Sequence, residues 1–139
     1  MKYAVVYQSG KNNARAVAEN IYNEIRSNSK VLVDVEKTSR IPDADMYIIG
    51  GSVHNDSCDF GVIRAIAGLS NAKIALFAVS SGPVSQKLAR RVEDNLRIWV
   101  SAFSEYRGFR LFEPAGRNGI SREVRDFLYE MTSEAFALA

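Results

Sequence analysis

Five short apolar runs, separated by segments with helical apolar spacing, constrain this chain more than any other feature. The runs cover residues 3–7 (YAVVY), 31–35, 46–49, 74–79 and 109–112. Each is short enough for a strand, and the first and fourth are apolar throughout, as strands covered on both faces are. Between them, Ala14, Val17, Ala18, Ile21 and Ile25 mark one helix face. Phe60, Ile63, Ile66 and Ala67 mark a second, and Leu88, Val92, Leu96, Trp99, Val100 and Phe103 a third. Val124, Phe127, Leu128 and Met131 complete a fourth. On this spacing Trp99 belongs to the core. Asn12 or Asn13 is a suitable N-cap for the first helix, Ser121 for the last, and Gly68 a stop for the second. Only the link 36–44, polar and holding Pro42, lacks a helical pattern.

Strands that alternate with helices pair in parallel through right-handed crossovers, and the helices then cover both sheet faces. The expected fold is therefore α/β: a three-layer, doubly wound, five-stranded parallel sheet. In such sheets ligands sit beyond the carboxyl ends of the strands, where the winding reverses. Loops 8–14, 51–60 and 80–86 meet that condition. No repeat or linker interrupts residues 1–139, which read as a single domain.

Composition narrows the class. No apolar run reaches the roughly 18–20 residues that cross a bilayer, so no integral membrane segment is expected. The lone Cys58 cannot form an internal disulfide, which favours a cytoplasmic setting. Net charge is only +2, and the basic residues Lys87, Arg90 and Arg91 lack the interleaved aromatics of a nucleic-acid footprint. They form a mildly basic face suited to solvent, to an acidic partner or to an anionic small molecule.

The first loop, Gln8-Ser9-Gly10-Lys11-Asn12-Asn13, joins a buried strand to a helix N-terminus, where free N–H groups and the macrodipole favour an anion. Ser9 adds a hydroxyl, Gly10 admits close backbone approach, Asn12 and Asn13 supply amides, and Lys11 adds charge. A terminal phosphate suits this chemistry, although a capped turn without a ligand uses the same residue types. Other phosphate motifs are absent. Asn12 follows Gly10-Lys11 and Val5 stands where a P-loop needs its first glycine, and no G-x-G-x-x-G occurs. A phosphorylated receiver needs carboxylates after the first and third strands; Gln8-Ser9 and Gly50-Gly51-Ser52 stand there instead.

Residues 7–19, Tyr7 through Glu19, resemble the opening of flavodoxins, whose first loop reads Ser/Thr-x-Thr-Gly-Asn-Thr before an amphipathic helix. Residues 45–52 (DMYIIGGS) are similar to the third strand of that family and 73–82 to its fourth, each running into a loop that flanks the flavin. The resemblance spans the whole chain. It implies strand order 2-1-3-4-5 and FMN as cofactor, with Ser9, Gly10, Lys11, Asn12, Asn13 and Ala14 around the phosphate. It further implies Ser52, Val53, His54 and Asn55 on one side of the ring and Ser80, Ser81 and Gly82 on the other. Lys11 replaces a usual Thr, Asn12 a Gly and Ala14 a Thr. Segments 52–59 and 80–86 hold none of the aromatics that commonly sandwich the ring, which removes about 0.5–1.5 kcal/mol per missing stack and leaves the ring open to a second planar molecule.

The functional expectation is a redox protein that carries electrons to or from a partner with an acidic docking surface. Two alternatives remain. One is an FMN-dependent oxidoreductase acting on a planar substrate, like protoporphyrinogen dehydrogenases or quinone reductases. The other is a binding protein that kept the fold and lost FMN. His54, the only histidine, reads as a ring neighbour or as a solvated loop residue. Cys58 has no CxxC partner to make it a redox thiol, and His54, Asp56 and Asp59 in one loop are a weak metal pattern.

Overall fold

The computed structural model describes residues 1–9, 14–113 and 120–132. In chain order the elements are β1 (Tyr3–Tyr7), α1 (Ala14–Glu24), β2 (Lys30–Asp34), β3 (Met46–His54) and β4 (Ser57–Cys58). They continue with α2 (Phe60–Ala67), β5 (Lys73–Val79), α3 (Gln86–Arg97), β6 (Glu105–Phe112) and α4 (Ile120–Met131). The main sheet runs β2-β1-β3-β5-β6 with all neighbours parallel, and β4 pairs antiparallel with β3. Leaving aside the two-residue β4, this is the expected 2-1-3-4-5 order.

The sheet separates two apolar layers because its side chains alternate. Tyr3, Val5 and Tyr7 face α1 and α4 with Ile48, Phe77 and Phe112. Ala4 and Val6 face α2 and α3 with Ile49, Leu76 and Val92. Phe77, Phe112 and Phe127 stack edge to face at 6.3 and 5.6 Å, tying β5 and β6 to α4. Gly50 lets β3 pass this cluster: a Cβ there would lie 2.3 Å from the Phe77 carbonyl oxygen and 2.4 Å from its ring.

Four expectations change. β3 does not stop at Gly50-Gly51 but continues to His54 and returns through Ser57–Cys58, so the expected polar loop is a hairpin. Asn55 and Asp56 take φ of 50° and 60°, which a two-residue turn of this twist requires and Asn and Asp tolerate. The inner face of α2 is Val62, Ala65 and Ile66, one residue out of the expected phase, and Phe60 is exposed under the Arg64 guanidinium. Helix α3 ends at Arg97, before Trp99 and Phe103 can complete its stripe. A turn closed by the Ser101 hydroxyl follows, leaving Trp99 45% and Phe103 79% exposed. Trp99 is therefore not core. Finally, β6 starts at Glu105; as an edge strand it carries polar Glu105, Arg107 and Arg110 that hide its period. Ser121 lies in the first turn of α4, while Asn12 and Asn13 fall outside the described residues.

Candidate functional site

The carboxyl ends of β1, β3 and β5 adjoin. Tyr7 is level with Gly50, and Ser52 with Val79, so the loops that follow leave neighbouring strand ends. Of the first loop, Gln8, Ser9 and Ala14 are described; Gly10, Lys11, Asn12 and Asn13 lie outside the described residues. Ala14, the first residue of α1, is fully buried in the core on that side of the sheet.

Two carboxylates, one at the end of β2 and one two residues after it, accept from Gln8 and Ser9, the described donors of that loop. Asp34, at the end of β2, accepts the Ser9 N–H at 3.3 Å and the Glu36 N–H at 3.0 Å through Oδ1. The turn this makes carries Glu36 over the end of β1. There its Oε2 accepts the Ser9 hydroxyl at 2.7 Å and its Oε1 the Gln8 amide at 3.2 Å. The Gln8 side-chain Oε1 in turn accepts the Gly61 N–H at 2.9 Å, linking the loop to α2. The other Asp34 oxygen is buried with no hydrogen-bond partner.

At the β3 end the hairpin is fastened from both sides. Asp56 pairs with Arg91 on α3 at 3.2 Å, and the Asn95 amide donates to the Asp56 carbonyl oxygen at 2.7 Å. Asp59 occupies the N-cap position of α2, yet its carboxylate makes no cap bond. It accepts the Ser52 N–H through Oδ2 at 2.9 Å, and its Oδ1 lies 2.7 Å from His54 Nε2. Gly51 makes room for it, since a Cβ there would stand 2.7 Å from Asp59 Oδ2. His54 pairs with Asp59 while Asp56 turns to Arg91. Among the described residues no group of three metal-ligating side chains converges. Cys58 is buried, and burial together with the Asp59 charge pushes its thiol up to about 12, which excludes a thiolate near neutral pH.

Ser80 donates its N–H to the Phe112 carbonyl at 2.8 Å, and its hydroxyl accepts the Gly82 N–H at 3.2 Å. Ser81 is exposed, and Gly82 faces open space. Ser85 then caps α3 through the Leu88 N–H. One further polar atom stands out. The Ser52 hydroxyl is buried and has no hydrogen-bond partner. Alternation from Met46 and Ile48 puts it on the α1 side of the sheet, next to the end of β1. A separate cavity of about 320 Å³ lies to the side, between residues 35–41 and α2, lined by Val35, Ile41, Arg64 and Leu69.

A family model described as a flavodoxin domain matches residues 4–135. The chain belongs to the flavodoxin-domain family. No curated protein sequence matches it, but solved structures do. A flavodoxin from Streptococcus pneumoniae TIGR4 superposes with a TM-score of 0.68 at 15% identity, over 96% of this chain and 99% of that one. A Fusobacterium nucleatum flavodoxin bound to flavin mononucleotide gives 0.66 at 8% identity, over 96% and 98%. Rubredoxin oxygen:oxidoreductase from Desulfovibrio gigas gives 0.73 at 15% identity, over 99% of this chain but only 37% of that larger one. At these identities the likeness establishes the fold.

A buried hydroxyl without a partner at Ser52 is the kind of group a polar ligand satisfies, and Gly82, after the end of β5, faces open space. Sequence reasoning missed Asp34, Glu36 and Asp59. The spacing Asp34-Val35-Glu36 at the end of a strand adjoining β1 was the available signal for the first two. Asp59 reads in the sequence only as part of a weak metal pattern with His54 and Asp56, which gives no sign of its bond to the Ser52 N–H. Among the described residues no helix is long and apolar enough to cross a membrane.

Proposed function

We propose that this flavodoxin domain binds FMN and passes electrons to or from a partner protein. The observation that carries the reading is the unpartnered, buried Ser52 hydroxyl between the ends of β1 and β5 in a chain of this family. Ser9, Gly10, Lys11, Asn12, Asn13 and the Ala14 backbone would hold the phosphate. Ser52, Val53, His54 and Asn55 would border one side of the ring, and Ser80, Ser81 and Gly82 the other. When bound, FMN supplies the redox chemistry. The protein's share is geometric: Asp59 fixes the β3 end and His54, and Arg91 and Asn95 keep the hairpin tip against α3. With a sequence pI of about 8.8, the partner is one with an acidic docking surface, and the setting is the cytoplasm. A visible flavin absorption band in freshly purified protein, bleached on reduction and restored by an electron acceptor, supports this reading. Protein that stays colourless after incubation with excess FMN and desalting overturns it.

A second reading is favoured by one feature. Without aromatic covers in 52–59 and 80–86, a planar substrate has room to stack against the ring, as in an FMN-dependent oxidoreductase of the quinone-reductase or protoporphyrinogen-dehydrogenase kind. Turnover of a quinone by the loaded protein without any partner distinguishes it from the carrier.

A further inference from the structure

One crossover in this fold lacks its helix. Helix α1 links β1 to β2, α2 lies between β3 and β5, and α3 links β5 to β6, but residues 35–45 join β2 to β3 without one. The chain crosses the sheet in opposite directions on leaving β1 and on leaving β2. Right-handed crossovers therefore put α1 on one face and this link on the other, the face of α2 and α3. The link is fastened at both ends. At the first, the Lys37 and Thr38 N–H groups close on the Asp34 carbonyl at 3.0 and 3.2 Å. At the second, the Tyr47 hydroxyl donates to the Pro42 carbonyl at 3.0 Å and accepts the Ala44 N–H at 2.9 Å. Val35 and Ile41 pack on the same core layer as α2, and the space that a helix would fill is the cavity of about 320 Å³ between them and α2.

The lining combines two chemistries. Val35, Ile41, Ala65 and Leu69 supply apolar surface, while Thr38, Ser39 and Arg64 are its polar residues. No carboxylate is among the described lining residues. The Thr38 oxygen accepts the Arg40 N–H at 3.1 Å, so its own hydrogen remains to donate. The Arg64 guanidinium lies 5.9 Å over the Phe60 ring and forms no ion pair among the described residues. A guanidinium accompanied by two hydroxyls selects an anionic head, and a planar carboxylate matches its fork of donors. The apolar walls take a hydrocarbon body. The volume stands at the low end of the range for ligand pockets, about 300–1,000 Å³, which limits that body to a single ring or a short chain. We propose that this cavity is a binding site for a small monocarboxylate with an apolar body, its head on Arg64 and its body against Val35, Ile41 and Leu69.

Two-dimensional amide NMR of the purified chain, titrated with propionate, hexanoate, hexanol and inorganic phosphate, tests this. Hexanoate should shift the Thr38, Ser39, Arg64 and Gly68 resonances in one saturable process. Each buried methylene is worth about fourfold in affinity, so hexanoate should bind at least about tenfold more tightly than propionate. Arg64→Gln, at an exposed position, should weaken hexanoate about tenfold, the order of a charge-assisted hydrogen bond, and change hexanol by less than about twofold. Ile41→Ser, which removes apolar wall, should weaken hexanoate and hexanol alike, and circular dichroism verifies that both variants fold. Shifts confined to residues away from the cavity, unchanged hexanoate affinity in Arg64→Gln, or no saturation at millimolar hexanoate overturns the proposal. So does phosphate binding as tight as hexanoate, which would make Arg64 a plain anion contact. No readout involves a flavin, so the result stands apart from the FMN reading.

Discussion

Replacing Asp59 tests how the hairpin is held at the site. The carboxylate accepts the Ser52 N–H at 2.9 Å, and Ser52 is 1% exposed, so Asp59→Ala strands a buried donor. Such a donor costs about 1–3 kcal/mol. The contact with His54 at 2.7 Å adds less, because the imidazole is 54% exposed and solvent screens the pair. About 0.2–1 kcal/mol is the order for such a pair. No cap bond is lost, since Asp59 makes none. The expected total is about 1–4 kcal/mol, or about 4–14 °C in Tm for a chain of this length. Asp59→Asn keeps an acceptor for the Ser52 N–H and should lose about 1 kcal/mol or less. Urea denaturation followed by circular dichroism reads both, and a double-mutant cycle with His54→Ala isolates the second contact. If Asp59→Ala loses under about 0.5 kcal/mol, or if the cycle assigns most of the loss to His54, the reasoning that the Ser52 bond anchors the hairpin is wrong.

Gly50→Ala puts a Cβ 2.3 Å from a strand carbonyl that cannot yield, so it should destabilise by about 3 kcal/mol or prevent soluble expression, as thermal melts will report. Phe103→Ser, at a 79% exposed side chain, should stay within about 0.5 kcal/mol of wild type. Leu96→Ala, at a fully buried position near the end of α3, should lose about 2–5 kcal/mol, and comparable losses for the two would contradict the early end of α3. The Cys58 thiol lies above its ordinary value of 9.0, near 12, when folded. The stability it carries is therefore fully present below pH 9.0 and fades as pH climbs toward about 12. Alkylation at neutral pH should follow global unfolding, and fast labelling of native protein would refute its burial.

The sheet was legible in the sequence because its two-sided burial leaves a direct mark. Residues 3–7 and 74–79 are apolar without interruption, and only an interior parallel strand needs that. Legibility faded wherever burial did. Edge strand β6 carries Arg107 and Arg110 that reach α4 by hydrogen bonds, so only its last four residues read as a strand. Trp99 fits the periodicity of α3 by spacing alone, but spacing predicts a face only while the helix lasts, and α3 ends at Arg97, where the Trp99 and Val100 N–H groups turn back to the Leu96 and Arg97 carbonyls. The candidate site divides the same way. Ser52 and Ser80 follow from their positions after strand ends, a local property. The carboxylates at Asp34, Glu36 and Asp59 reach these donors across 7 to 28 residues of chain, and no local pattern records which donor a carboxylate finds once strands are ordered.

The central claim is that the ends of β1, β3 and β5 seat FMN, and calorimetric titration of the apo-protein with FMN tests it most directly. The account predicts one site per chain with a Kd in the range of about 1 µM or tighter, equivalent to about 8 kcal/mol, and loss of affinity in Ser52→Val, which removes the buried hydroxyl. An absence of heat together with unquenched FMN fluorescence at saturating protein would contradict it.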